Sequence, residues 1–235
     1  MSKIVTIHQP DFMPWLGLFD KINNADTFII LDHVSNNPKS AEFWCRRVKM
    51  LIGGKEHWMS VNLKKDEKEV FIPINKMEIY MDEHSIRKFK QSVELNYKKA
   101  PFFKDVFYLI ENYFSSPLVD LCQKNTQFIK EVMTKMDIAT EVVVSSQMQP
   151  QFTSNEMLID LLKKVNASTY LCGAGAGEYQ KDELFVAQGI AVKYNSYVPK
   201  AYPQFNSPDF VKGLSIIDVL MNLGFKASKD LLNKK

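Results

Sequence analysis

The sequence predicts an α/β fold with a Rossmann-like, mostly parallel sheet, an inserted β-hairpin region and a helical subdomain. Three observations favour this class. Short apolar runs that are typical of buried strands occur near both ends of the chain, at residues 4–7, 27–31, 141–144 and 169–172. Segments with helical periodicity alternate with these runs. Each run also ends in polar or glycine residues, as strands do when they lead into ligand-binding loops.

The opening unit consists of a strand at residues 4–7 and a helix that begins soon after Trp15. His8, Gln9 and Asp11 lie between them. In α/β sheets, ligands bind beyond the carboxyl ends of the strands, so these side chains are candidate substrate-binding groups, together with Trp15. The alternative is a capped turn closed by a proline and aromatic residues, and the pattern alone does not separate the two.

The second strand, residues 27–31, is followed by Asp32 and His33. Strand, helix and strand within so few residues favour parallel pairing, which places both residues at the same edge of the sheet as His8. Histidine has a pKa near neutrality and is suited to act as a general base, and a neighbouring carboxylate orients an imidazole. We therefore predict His8 and Asp32 as catalytic residues, with Asp11 as another candidate for the orienting carboxylate and His33 as a substrate-binding residue.

A basic segment follows at residues 44–49 and includes Arg46 and Arg47. Guanidinium groups bind phosphate or carboxylate through two parallel hydrogen bonds, so this segment is a candidate anion site. The alternative is a solvated helix face on which the basic side chains only cover apolar surface.

The length of 235 residues is that of a single domain. We assign the α/β frame to residues 1–52 and 138–225 and an inserted β and helical subdomain to residues 53–137. In the insertion, residues 57–61 and 70–74 have strand character, and residues 85–136 have helical periodicity.

A glycine run at residues 173–177 follows the predicted strand 169–172 and precedes a predicted helix at residues 180–188. Glycine lets backbone amides approach an anion closely, and the next helix adds its dipole. Gly173, Gly175 and the nearby Tyr179 are therefore candidate ligand contacts. The run is not a GxGxxG or P-loop motif, and a tight turn also requires glycine.

Composition excludes several classes. The formal charge is only +3, which argues against a nucleic-acid partner. Three cysteines without metal-ligand spacing favour reduced thiols and a cytoplasmic location, and neither a metal nor a cofactor is expected. No apolar run approaches the roughly 20 residues of a membrane span, so no membrane partner is expected. A closing helix is predicted at residues 214–223, followed by a frayed end at residues 226–235.

Several segments together resemble the WbqC-like family of bacterial proteins, from about residue 3 to about residue 225: IHQPDFMPWLGLFDKINNADTFIILD, WCRRVK, VELNYKKAPFF, SNEMLIDLLKKVNASTYLCGAGAGEY and FVKGLSIIDVLMNLG. The chain departs from the pattern that we expect of this family at Asp11, Cys172 and Ala174, in place of asparagine, serine and proline. A fainter likeness joins residues 12–17 to adenylate-forming nucleotidyltransferases, but the two histidines of their HxGH motif are absent.

The family resemblance implies a cytoplasmic role in making surface polysaccharide such as O-antigen. The chemistry that it suggests is acyl or aminoacyl transfer to the amino group of a nucleotide-linked amino sugar. The expected partners are this sugar and an acyl or aminoacyl donor, and a homo-oligomer is left open. Two alternatives are a binding protein for nucleotides or sugar nucleotides that performs no chemistry, and a purely structural subunit.

Overall fold

The computed structural model describes residues 2–64, 70–175 and 180–233. The helices are α1 (Leu16–Asn23), α2 (Glu83–Tyr97), α3 (Phe103–Val106), α4 (Tyr108–Ser115), α5 (Leu121–Lys135), α6 (Ser154–Lys164), α7 (Asp182–Val186) and α8 (Ile216–Asp230). The strands are β1 (Ile4–His8), β2 (Thr27–Ile30), β3 (Ser35–Asn36), β4 (Arg47–Ile52), β5 (Lys55–Ser60), β6 (Ile72–Pro73), β7 (Glu141–Val144), β8 (Thr169–Gly173) and β9 (Ala191–Asn195). Within the described ranges, no helix is long and apolar enough to cross a membrane.

The central sheet has five strands in the order β7, β2, β1, β8, β9. Every neighbouring pair in it is parallel, which confirms the predicted Rossmann-like α/β class. The chain first builds outward from β1 to β2 and β7, and then crosses to the other side of β1 for β8 and β9. This arrangement makes the boundary between β1 and β8 the topological switch point, which is where α/β sheets bind ligands.

Both faces of the sheet are covered, which explains why its strands read as continuous apolar runs. Alternate residues of β2 belong to different cores, because side chains alternate across a strand. Phe28 and Ile30 pack with the large core that includes residues of α1, α2, α4, α5 and α8. Ile29 packs with Val5, Ile7 and residues of α6 and α7.

A second, two-stranded sheet lies outside the central one. Strands β4 and β5 pair antiparallel from Arg47 opposite Ser60 to Ile52 opposite Lys55, and Gly53 forms the turn with a positive φ of 61°. The predicted strand at residues 70–74 is confined to β6, which pairs with β3. The division into frame and insertion stays a prediction, and the β4–β5 hairpin extends across its boundary at residues 52 and 53.

The predicted frayed end at residues 226–235 is wrong for the described part. Gly224 leaves helical geometry with φ 72° and ψ 175°, so it interrupts α8 where we predicted the end of a helix. Helical structure then resumes and extends to Asp230. Leu232 is buried, and the backbone N–H of Asn233 donates to the Asp20 carboxylate at 2.7 Å, so tertiary contacts hold this end in place.

Candidate functional site

The carboxyl edge of the sheet brings together residues that are far apart in the chain. His8, the last residue of β1, pairs with Ile30 of β2. On the other side of β1, Thr6 pairs with Leu171 of β8, so Gly173 reaches the level of His8 two positions later. His8 and Gly173 therefore flank the switch point, as the sequence predicts.

The turn after β1 is fastened to the short 3-10 helix Trp44–Arg46. The backbone N–H of Phe12 donates to the carbonyl oxygen of Trp44 at 3.0 Å. The fully buried Asn125 donates through Nδ2 to the carbonyl oxygens of Pro10 at 2.8 Å and Cys45 at 2.7 Å. One amide thus holds the opening turn against the basic segment, which places Asp11 beside Cys45.

A cluster of titratable groups lies at this junction. The Asp11 carboxylate is 6% exposed; its Oδ1 accepts from the Cys45 thiol at 3.7 Å, and its Oδ2 lies 3.8 Å from Nδ1 of His8. The ammonium of Lys21 is also buried and donates to the carbonyl oxygen of Ile7 at 3.1 Å. It interacts electrostatically with Asp11, but no ion pair within 4 Å joins their charged atoms.

Burial shifts the pKa values of Asp11, Lys21 and His8 in the direction that favours the uncharged form of each group. It raises the pKa of Asp11 to about 7 and lowers the pKa of Lys21 to about 8, and in each case the opposite charge of the other residue offsets part of the shift. Desolvation and the Lys21 charge lower the pKa of His8, although its side chain is 33% exposed, so the imidazole is neutral at pH 7. Its Nδ1 lies 3.1 Å from the Gln9 carbonyl oxygen, which can only accept, so we assign the proton to Nδ1 and the free electron pair to Nε2.

Asp32 and His33 form a separate cluster with the end of β7. The Asp32 carboxylate accepts from Ser145 Oγ at 2.9 Å, Ser146 Oγ at 2.6 Å and the Ser146 backbone N–H at 2.9 Å. His33 Nδ1 lies 2.7 Å from Ser145 Oγ, and its Nε2 lies 3.1 Å from the sulfur of Met157. Asp32 is thus engaged by serines, and Asp11 is the carboxylate beside the His8 ring.

A cavity of about 540 Å³ opens next to Asp11. All three tryptophans of the chain line it, namely Trp15, Trp44 and Trp58, together with the cationic residues Arg47, Lys49 and Lys212. Trp44 is 49% exposed and Trp58 is 44% exposed, so both side chains are partly accessible to solvent. We call this space the tryptophan cavity.

The two arginines of the basic segment, of which Arg47 lines the tryptophan cavity, lack acidic partners among the described residues. Arg47 stacks on Trp58, with its guanidinium carbon 3.8 Å from the ring centroid. Lys49, by contrast, is paired with Glu56 at 2.7 Å. The Nε atoms of Arg46 and Arg47 are buried without a hydrogen-bond partner, and no described carboxylate forms an ion pair with either residue. Burial and the nearby Arg47 charge lower the pKa of Arg46. These residues form a 3-10 turn and the start of β4 rather than an α-helix, and the anion site stays a prediction.

The remaining predicted site residues have mixed surroundings. Gln9 accepts through Oε1 from Asn36 Nδ2 at 3.3 Å and from the Cys45 thiol at 3.7 Å. Gly173 ends β8 half-buried, whereas Gly175 is exposed. Tyr179 lies outside the described residues, so its predicted role stays a prediction.

Sequence reasoning missed four groups at this junction: Lys21, Trp44, Trp58 and Asn125. Trp58 and Lys49 reach the tryptophan cavity only because β4 and β5 fold back on each other, which a single sequence does not specify. A signal existed for Trp44, since it directly precedes the basic pair. Lys21 gave none, because one lysine in an amphipathic helix is ordinarily solvent-exposed.

In the part of the chain that the structure describes, no group of three or more histidine, cysteine, aspartate or glutamate side chains is arranged to hold a metal ion.

Fold and site together define an α/β protein with a doubly wound parallel sheet and an aromatic, cationic cavity beside its switch point. The model of the WbqC-like protein family matches residues 9–230, and the chain belongs to this family. It is similar to an uncharacterized protein of Mycobacterium tuberculosis, with 24% identity over 228 residues that cover 96% of each chain. No solved structure was found to match the chain.

Proposed function

We propose that this protein is a transferase that acylates the amino group of a nucleotide-linked amino sugar in surface-polysaccharide synthesis. The observation that carries the proposal is the tryptophan cavity, where three tryptophans and Arg47, which has no acidic partner among the described residues, adjoin a buried carboxylate. Membership of the WbqC-like family supports the proposal, because the family resemblance implies a role in surface-polysaccharide synthesis.

The tryptophan cavity suits a sugar nucleotide in size and chemistry. Small-molecule sites range from about 300 to 1,000 Å³, and this one has about 540 Å³. The partly exposed side chains of Trp44 and Trp58 offer stacking surfaces for a base or a sugar ring. Arg47 and Lys212, which line the cavity, would neutralise the diphosphate, with the arginine donating paired hydrogen bonds.

Proton transfer is the second requirement, because the sugar amine must lose a proton as it attacks. A general base works best when its pKa is near the working pH. The raised pKa of Asp11, about 7, meets this condition better than the lowered pKa of His8. We assign the proton acceptor to Asp11 and keep His8, whose Nε2 carries a free electron pair, as a neighbouring hydrogen-bond acceptor for the amine. The catalytic role of Asp32 stays a prediction, and so do the cytoplasmic location and the absence of a cofactor.

Tryptophan fluorescence tests ligand binding directly. UDP-N-acetylglucosamine and dTDP-glucose should quench the emission, since every tryptophan lines the tryptophan cavity. Trp44→Ala should weaken binding about tenfold, in line with about 1–3 kcal/mol per stacked base. Phe152→Ala is the matched control, because Phe152 is an exposed aromatic residue away from the cavity. Equal affinities in both variants would remove the cavity from sugar-nucleotide binding.

Mass spectrometry separates a transferase from a binding protein without chemistry. The protein is incubated with nucleotide-linked amino sugars and with acyl or aminoacyl donors, and the products are searched for the mass of an added acyl group. Asp11→Asn should lower turnover at least a hundredfold, and His8→Ala by a smaller factor. Quenching without any product from the donor panel would favour the binding protein, and full turnover in Asp11→Asn would contradict the assigned base.

A further inference from the structure

Lys21 is a buried ammonium that the fold leaves mostly unpartnered. It is 4% exposed and carries three N–H donors, yet it makes one hydrogen bond within the described chain, to the Ile7 carbonyl oxygen. Lys124, another buried lysine, donates to two carbonyl oxygens, those of Tyr113 and Ser116. Buried polar groups are normally satisfied, so the free donors of Lys21 call for an oxygen-bearing ligand.

Asp11 lacks hydrogen-bond donors, as Lys21 lacks acceptors. Its carboxylate is buried and, among the described residues, accepts only from a thiol, which is a weak donor. The two groups influence each other's pKa, but they lie beyond the 4 Å of an ion pair. A pair retained for stability alone would be in direct contact, because only close geometry offsets the desolvation of both charges. A ligand that carries a positive nitrogen and a negative oxygen would complement both groups.

The position of this pair suits a reaction between two substrates. Asp11 lines the tryptophan cavity, where the amino sugar is proposed to bind. Lys21 is anchored on β1 at the switch point and lies within electrostatic reach of Cys172 on β8. Beyond β8, a side chain added at Gly173 or Gly175 would meet no atom of the described residues within 4 Å. The His8 side chain between these spaces is 33% exposed.

We propose that Lys21 is a catalytic residue whose ammonium binds the oxygen of the acyl carbonyl while Asp11 receives the attacking amine. This inference rests on the proposed acyl transfer. It assigns the switch-point crevice to the second substrate, an activated acyl donor of the ester, thioester or mixed-anhydride class.

When an amine attacks such a donor, the former carbonyl carbon comes to carry a positively charged nitrogen and a negatively charged oxygen. The nitrogen–carbon bond forms, and the carbonyl π electrons move onto the oxygen beside Lys21. The Asp11 carboxylate takes a proton from the nitrogen. When the carbonyl re-forms, the bond to the leaving group breaks, and the leaving group departs with the electron pair and accepts the proton from Asp11. Fixed charges that face both developing charges lower the barrier of this step.

Aminomethylphosphonate tests the pair without knowledge of the natural donor. It carries an ammonium and a tetrahedral oxyanion on one carbon, whereas methylphosphonate and methylammonium each carry one of these groups. By titration calorimetry, we expect aminomethylphosphonate to bind at least tenfold more tightly than either half. Lys21→Met and Asp11→Asn should each weaken it at least tenfold. Lys21→Gln, which keeps a donor for the Ile7 carbonyl, should show the same loss if Lys21→Met folds poorly.

Lys124→Met is the matched control, since it removes a buried lysine elsewhere and should leave aminomethylphosphonate binding unchanged. Unchanged binding in Lys21→Gln, or equal affinity for aminomethylphosphonate and methylphosphonate, would overturn the inference. Sugar-nucleotide quenching reports on the proposed function separately. If sugar nucleotides quench the fluorescence but aminomethylphosphonate does not bind, only the proposed role of Lys21 is contradicted. If aminomethylphosphonate binds but no quenching occurs, only sugar-nucleotide binding is contradicted.

Discussion

Two buried carboxylates lie at the carboxyl edge of the same sheet, and their surroundings differ. Asp32 accepts three hydrogen bonds from Ser145 and Ser146, at 2.6 to 2.9 Å. Among the described residues, Asp11 accepts only from a thiol at 3.7 Å, and it lies beside a cavity. A carboxylate whose hydrogen bonds are satisfied by the fold stabilises the fold, whereas one left unsatisfied at a cavity is free to bind a ligand. The difference supports the proposed chemical role of Asp11, whereas the catalytic role of Asp32 stays a prediction.

The largest expected effect on stability is that of Asp32→Ala. This change leaves the buried Ser145 hydroxyl and the Ser146 donors without their acceptor, so the free energy of unfolding should fall by about 2–4 kcal/mol. Urea denaturation with an unchanged m-value measures it. A loss below about 1 kcal/mol would mean that the serine contacts do not hold this edge together.

Asp11→Asn should raise the free energy of unfolding relative to the wild type, whereas Asp32→Ala lowers it. The folded-state pKa of Asp11 is raised from 3.8 to about 7, so the folded state keeps a proton that the unfolded state loses between these values. Stability from this group therefore falls as the pH rises from about 4 to about 7. Asparagine does not titrate, so the variant should gain about 3 kcal/mol on the wild type over this interval.

The pH comparison is made as a difference between Asp11→Asn and the wild type. His8 has a lowered pKa, so its own contribution rises with pH up to about 6.5 and opposes that of Asp11. The lowered pKa of Lys21 makes the free energy of unfolding rise with pH only above about pH 8. The buried thiols of Cys45 and Cys172 have raised pKa values, so they do not titrate between pH 4 and pH 7. A difference that does not change between pH 4 and pH 7 would show that Asp11 is stabilised as an anion.

The smallest expected effect on stability is that of Ser146→Ala, a change among the serines that donate hydrogen bonds to Asp32. Ser146→Ala removes one hydroxyl bond to Asp32, but the Ser145 hydroxyl and the Ser146 backbone N–H remain. The loss should be about 1 kcal/mol, with sugar-nucleotide quenching unchanged. Denaturation and fluorescence titration of one preparation measure both, and a loss of quenching would assign Asp32 to ligand binding after all.

Much of the sheet follows from local pattern. Short apolar runs that end in polar residues predicted β1, β2, β7 and β8, and parallel pairing placed His8 and Asp32 at one edge. The convergence of the tryptophans was not predictable in the same way, because β4 and β5 pair outside the central sheet. Lys212 reaches the same cavity from near the other end of the chain. The end of α8 was misjudged because a lysine-rich composition does not reveal the contact of Asn233 with Asp20.

The sequence by itself determined which side chains follow the strands, because strand and turn preferences act over a few neighbouring residues. Only the tertiary structure decided which of them are satisfied. Asp32 finds its serines 113 residues further along the chain, whereas Asp11 and Lys21 are buried close together without direct contact. Hydrogen-bond satisfaction depends on which distant groups packing brings into reach, and local preferences carry no information about that.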